Sequence, residues 1–141
     1  MKSFGIEWVL LAEYAQVKSN VATIVGAGID SIVAPRSPDA PDRFEVDFVV
    51  VMKWTLAKHD LGGEVELALA VLDPDARVIG EQTRRVVTVA GADLSHHGNA
   101  SFLHHFPLRV LTPTTGEHIV EIGERGGRTV RTYVTVKQAE D

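Results

Sequence analysis

Apolar and polar residues alternate over long stretches of this chain, and this two-residue period predicts strands with one face in a core. The clearest example lies at 44–54, where Glu45 and Asp47 separate the first apolar positions. The apolar positions of that segment are Phe44, Val46, Phe48, Val50, Met52 and Trp54. Val49 and Val51 are apolar as well, so we expect the opposite face of this strand to be covered at its middle.

Turn residues between alternating segments predict two hairpins. Asp73-Pro74-Asp75-Ala76 lies in the middle of 64–89, and proline presets φ while aspartate bonds to the local backbone, so this segment is predicted to fold as a hairpin. Residues 119–136 alternate on both sides of Glu124-Arg125-Gly126-Gly127-Arg128, which predicts a second hairpin near the end of the chain.

Weaker alternation predicts further strands at 6–12, 21–27 and 102–112. The 20 valines favour strands because β-branching restricts χ1. Seven or eight strands separated by turns indicate an all-β antiparallel β-sandwich, with a closed barrel as the alternative. Helix is expected only in short pieces, at 9–16 or 92–96. The length of 141 residues predicts a single domain over 1–141.

Composition and charge exclude several classes of function. The absence of cysteine excludes disulfides, thiolate metal sites and cysteine nucleophiles. A net charge of −5 argues against nucleic acid as a partner. Glu7 interrupts the first apolar run, and no apolar run in the chain approaches the roughly 20 residues of a membrane-spanning helix, so we expect no signal peptide, no membrane association and a cytoplasmic location.

The opening part of the chain carries Leu10-Leu11-Ala12-Glu13-Tyr14-Ala15 and then Ile24-Val25-Gly26-Ala27-Gly28-Ile29-Asp30. This pairing resembles a bacterial family of small β-sandwich proteins that is catalogued only as a domain of unknown function. The resemblance is strongest over 6–33, and Ile29 departs from it where an aromatic residue is common. It implies an Ig-like or C2-like sandwich, and it brings no known activity, catalytic residue or cofactor.

Histidines are the sharpest candidates for chemistry. Four of the six histidines are His96, His97, His104 and His105, and converging imidazoles could bind zinc, nickel or copper and support hydrolysis by an activated water. Adjacent residues of a strand face opposite ways, so His104 and His105 are not expected to share one site. The structural alternative is a core histidine at 104, on the apolar side of its strand, with surface histidines elsewhere.

Other motifs predict structure more than chemistry. Asp73 and Asp75 share a loop, as in C2-type calcium sites, but no loop here has the dense aspartate spacing that calcium needs. Gly26-Ala27-Gly28 lacks the third glycine and following helix of a nucleotide site, so we expect a bend beside a close neighbour, with Trp8 or Trp54 as candidates.

Arginines and loops supply the remaining candidates for binding. Arg125, Arg128 and Arg131 cluster on the last hairpin, where they could dock an acidic partner or simply protect an exposed strand from aggregation. The long loops at 34–43 and 91–101 are further candidates. We therefore expect a non-enzymatic binding or structural module that meets a protein partner or self-associates, either as a homo-oligomer or within a bacterial assembly. A metal-binding protein that uses the four histidines is the alternative.

Overall fold

The computed structural model describes residues 3–89 and 98–139, which form ten strands and a short 3₁₀ helix at Lys58–Asp60. The strands are β1 (Gly5–Ala12), β2 (Tyr14–Lys18), β3 (Val21–Val25), β4 (Ser31–Ala34), β5 (Phe44–Ala57), β6 (Glu64–Leu72), β7 (Val78–Val87), β8 (Asn99–Thr112), β9 (Gly116–Glu124) and β10 (Thr129–Gln138). Within these ranges, no helix is long and apolar enough to cross a membrane.

Two sheets face each other across one apolar core. One sheet has the order β1-β5-β8, and the other has the order β4-β10-β9-β6-β7. The described pairings are antiparallel except that of β4 with β10. Trp54 and Phe106 from the first sheet pack in the same buried cluster as Leu67 and Ile122 from the second. The predicted all-β sandwich is therefore confirmed.

The strand count exceeds the prediction for a local reason. The two facing sheets contain eight strands, and β2 and β3 form a separate ribbon. The chain leaves the three-stranded sheet at Glu13, whose amide donates to the carbonyl of Val25 in the ribbon. Residues 9–16 are therefore strand on both sides of a bend at Glu13 and not helix, whereas 92–96 lie outside the described residues. The barrel alternative is wrong because each sheet ends in edge strands.

The long strand β5 organises the smaller sheet. It pairs with β8 along its whole length, from Phe44 opposite Thr112 to Ala57 opposite Asn99. Its alternating apolar side chains enter the core. Complete burial of one valine, phenylalanine or methionine side chain stabilises the fold by about 1.5–3 kcal/mol. On the other face, Val49 and Val51 are buried against Ala15 of the ribbon, which confirms that this face is covered.

A two-residue turn closes the ribbon and fixes it to β8. Ser19 and Asn20 have φ angles of 51° and 58°, the left-handed conformation that a tight hairpin turn requires. The side-chain nitrogen of Asn20 donates to the Ser101 carbonyl at 2.9 Å, and the side-chain oxygen of Asn20 accepts from the backbone amide of Leu103 at 2.9 Å.

Glycines 26 and 28 serve the bend after the ribbon. Both have left-handed φ angles, of 68° and 81°. This turns the chain so that the amides of Gly28 and Ile29 donate to the Leu11 carbonyl. A Cβ at Gly26 would lie 2.8 Å from the Glu13 side chain. The predicted bend beside a close neighbour is present, but that neighbour is Glu13 and not a tryptophan.

Candidate functional site

The structure separates the histidines of the candidate metal site. His104 lies opposite Met52 on the core side of the three-stranded sheet, and His105 lies opposite Val51 on the other face. His96 and His97 lie outside the described residues. As expected, alternation along β8 sends the two rings to opposite faces, so His104 and His105 do not share one site.

His104 is held by a tryptophan. The Trp54 indole donates from Nε1 to Nδ1 of His104 at 2.8 Å, and Phe4 and Phe102 stack against the indole at centroid distances of 5.3 and 4.4 Å. Burial lowers the pKa of His104 to about 4, and the charge of Arg84 adds to the effect. Because an indole only donates, the neutral ring keeps its proton on Nε2. Neither ring nitrogen is then a free metal ligand.

His118 is buried and bonded within its own corner of the fold. Its Nδ1 lies 3.0 Å from the Gly116 carbonyl, and its Nε2 lies 2.7 Å from the Thr112 hydroxyl. Since a carbonyl only accepts, Nδ1 carries a proton in this arrangement. This network joins the end of β8 to the start of β9, which sequence reasoning did not predict. Among the described residues, no three histidine, aspartate or glutamate side chains gather as a metal site.

Asp73 performs turn chemistry in the β6–β7 hairpin. Its Oδ1 accepts from the amides of Asp75 and Arg77 at 2.9 Å each. Its buried Oδ2 has no hydrogen-bond partner in the described structure, and the Arg77 Nε lies 4.0 Å away. The carboxylate therefore stabilises the reversal of the chain.

The arginines of the last hairpin are largely balanced by carboxylates. Arg125 contacts Glu66 at 2.7 Å, and Arg131 contacts Glu121 at 2.8 Å. The hydrogen bond to Glu66 raises the pKa of Arg125 above its usual value. Arg128 is exposed in the turn, and its carbonyl accepts from the Glu124 amide. Two of the three candidate cations are therefore already paired.

The loop at 34–43 is pinned at its start. The Arg36 guanidinium lies 5.0 Å from the centre of the Phe44 ring and donates to the Pro41 carbonyl at 3.0 Å. The loop at 91–101 lies mostly outside the described residues.

Side chains seal the free edge of β8. The Asn20 side chain bonds to the backbone of Ser101 and Leu103, as described above. Further along, Arg84 donates to the His105 carbonyl and Gln82 donates to the Pro107 carbonyl, each at 2.9 Å. The Arg84 guanidinium also lies 4.4 Å from the centre of the Phe106 ring. The backbone carbonyls of Ser101, His105 and Pro107 along this edge are therefore occupied.

The five-stranded sheet, by contrast, has bare backbone at both ends. The Thr135 amide donates to the Asp30 carbonyl, so odd-numbered residues of β10 face β4. Because β4 pairs only with 135–138, the backbone of Thr129, Arg131 and Tyr133 on this side meets no described partner.

The other end of that sheet is β7. The Thr88 amide donates to the Gly63 carbonyl, so even-numbered residues of β7 face β6 and odd-numbered residues face outward. No described residue bonds to the outward backbone of Glu81, Thr83 or Arg85. Sequence reasoning missed both edges because a strand's pattern does not show which strand lies beside it.

Concave surfaces are shallow and open. One, of about 330 Å³, lies on the outer face of the five-stranded sheet and is lined by Ala68, Ala70, Glu81 and Glu121 among others. Another, of about 410 Å³, lies between β7 and β8, and His104 is among its lining residues.

Comparison with known proteins supports the fold alone. No family model and no curated protein matches the chain, so the resemblance of the opening segment stays a prediction. A β-glucosidase structure from Erythrobacter marinus matches 96% of this chain with a TM-score of 0.54 and 14% identity, and the match spans 15% of that enzyme. An immunoglobulin-like protein from Pseudomonas aeruginosa matches 96% of this chain and 97% of its own length, with a TM-score of 0.46 and 13% identity.

Proposed function

We propose that this protein is a non-enzymatic protein-binding module that takes an extended segment of a partner protein along the bare edge of β10. The observation that carries the proposal is the unpaired backbone of Thr129, Arg131 and Tyr133. Unpaired N–H and C=O groups in a row form a template for one more strand.

The chain itself supplies a precedent for this occupant. β4 already pairs in parallel with the far half of β10, at 135–138, and begins at Ser31. The unpaired backbone at 129–133 lies on the same edge of β10 that β4 occupies further along. A partner strand on this part of the edge would therefore lie end to end with β4. A stretch of five residues corresponds to about 17 Å of strand.

The side chains along this edge favour a partner with a two-residue pattern. Tyr133 is 51% exposed and points to the outer face of the sheet, where it pairs across with Ile119. Val130 and Thr132 are half-buried toward the core side. We expect aromatic or β-branched residues opposite Tyr133, because such cross-strand pairs contribute about 0.2–1 kcal/mol each.

A peptide selection tests this function. Short random peptides displayed on phage are selected on the immobilised protein, and labelled synthetic copies of the enriched peptides are measured by fluorescence anisotropy. Arg131→Pro removes one edge amide, so we expect affinity to fall about tenfold or more. Arg131→Ala is the side-chain control, since it keeps the amide and loses the contact with Glu121.

A second control places proline on another edge. The amide of Val33 points away from β10, so Val33→Pro should leave peptide affinity unchanged. Backbone amide shifts in NMR spectra should concentrate at 129–133 on binding. Enriched peptides that bind Arg131→Pro as well as wild type, or that shift other residues, would refute the proposal, as would a selection that enriches nothing.

The metal-dependent alternative stays a prediction. Its four histidines are split between two faces of the sheet and a segment outside the described residues, and no observation of the described residues favours it.

A further inference from the structure

The second bare edge of the five-stranded sheet, β7, has a charge pattern that complements itself. Glu81, Thr83 and Arg85 occupy successive outward positions, with opposite charges at equal distances from Thr83. All three side chains are exposed. An antiparallel copy of this strand, related by a two-fold axis at Thr83, would place each Glu81 opposite an Arg85.

We propose that the protein forms a two-fold symmetric homodimer through β7, with Thr83 of one copy opposite Thr83 of the second copy. The dimer would join two five-stranded sheets into one continuous sheet. The three outward residues would exchange about six backbone hydrogen bonds with their counterparts, as narrow antiparallel pairs do. This interface is separate from the β10 edge, so it does not depend on the proposed function.

The side chains on β7 are placed for this pairing. Glu81 lies opposite Ala70 on β6, and its charge contributes to the raised pKa of Arg125, although no described cation forms a direct ion pair with it. The Arg85 side chain is 73% exposed and lies 3.5 Å from Glu64, so it can contact a second carboxylate across the axis. Within the described residues Glu81 therefore makes no direct ion pair and can contact Arg85 of a second copy, and charge complementarity selects both partner and register.

Hydrogen bonds from β7 to β8 of the facing sheet limit the proposed dimer contact to the five-stranded sheet. The side chains of Gln82 and Arg84 point toward the facing sheet and already donate to carbonyls on the edge of β8. The second copy can therefore add to β7, while these two side chains occupy part of the β8 edge. Isologous contacts of this kind close into a dimer and do not propagate.

Sedimentation equilibrium over a concentration series tests the proposal on the full chain. Wild type should associate to a dimer, and added salt should weaken it because the pairs are exposed. Glu81→Arg and Arg85→Glu each place like charges across the axis, and we expect each to weaken the dimer about tenfold or more. The double variant with both reversals restores opposite charges, so its affinity should return toward that of wild type.

The backbone is tested separately from the charges. Thr83→Pro removes the amide at the axis in both copies and should abolish association, whereas Thr83→Val keeps the amide and should preserve it. Circular dichroism confirms that each variant is folded. A wild type that stays monomeric throughout would overturn the proposal. So would a dimer that survives Thr83→Pro, or a double variant that is no tighter than the single variants. A dimer that is lost with Arg131→Pro but not with Thr83→Pro would place self-association on β10 instead.

Discussion

Acidification should destabilise the protein through His104. The folded protein keeps this imidazole neutral, since its ring is packed beside Trp54 and burial lowers its pKa from 6.5 to about 4. In the unfolded chain the same side chain titrates near its usual value. As pH falls below about 6.5 the unfolded state takes up a proton that the folded state resists, so stability falls until about pH 4.

The size of the effect follows from the pKa difference and the exposure of the ring. A decrease from 6.5 to about 4 corresponds to at most about 3 kcal/mol of unfolding free energy. The ring is only half-buried, and solvent screening reduces the expected loss to about 1–2 kcal/mol. Protonation of Nδ1 would also break the hydrogen bond from Trp54, which acts in the same direction.

Urea unfolding at a series of pH values, for wild type and His104→Asn, measures this contribution. Asparagine does not titrate, and its amide oxygen can accept from the Trp54 indole near the position of Nδ1. The wild type should lose about 1–2 kcal/mol more than the variant between pH 7 and pH 4. Equal pH dependence in the two proteins, or an NMR titration of His104 near its usual pKa, would refute the reasoning.

Two further substitutions test how the strands are held together. Asn20→Ala removes both hydrogen bonds to the edge of β8, which should cost about 1–2 kcal/mol and speed exchange of the Leu103 amide, as denaturant unfolding and hydrogen exchange would show. Gly123→Ala would place a Cβ in steric conflict with the Arg128 carbonyl oxygen in the last hairpin, and we expect a loss of about 3 kcal/mol in urea unfolding.

Each of these substitutions has a matched control. Asn20→Asp keeps the acceptor for the Leu103 amide and loses only the donor to Ser101, so that amide should stay protected from exchange. Gly126→Ala lies in the same hairpin with open space around it, and it should cost only the strain of its left-handed φ, about 1 kcal/mol. Unchanged exchange at Leu103 in Asn20→Ala, or equal losses at the two glycines, would contradict these assignments.

Local patterns predicted the faces of the strands well. Alternation placed His104 on the apolar side of β8 and required a cover over Val49 and Val51, and the structure supplies both features. The turn at Asp73 was likewise predictable, because aspartate and proline act on the backbone within a few residues. The partner of His104 was not predictable, since Trp54 lies 50 positions away in the chain.

For the candidate site, too, the sequence showed which residues are present but not which distant residues they contact. The sequence contains the arginines of the last hairpin but not their pairing with Glu66 and Glu121, which depends on β6, β9 and β10 lying side by side. It likewise contains Asn20 as a turn residue but not the carbonyl and amide of β8 that this side chain occupies.

By itself, the sequence determined most of the strands, which face of each enters the core and where two of the hairpins turn, whereas alternation did not predict β2 or β4. These are local properties, because side chains alternate across any extended backbone and turn residues act on their neighbours. Only the tertiary structure decided the order of strands in each sheet, and therefore that side chains bond to much of the β8 edge while β7 and the near half of β10 keep unpaired backbone. Whether a strand lies at an edge depends on distant segments of the chain, and alternation carries no record of them.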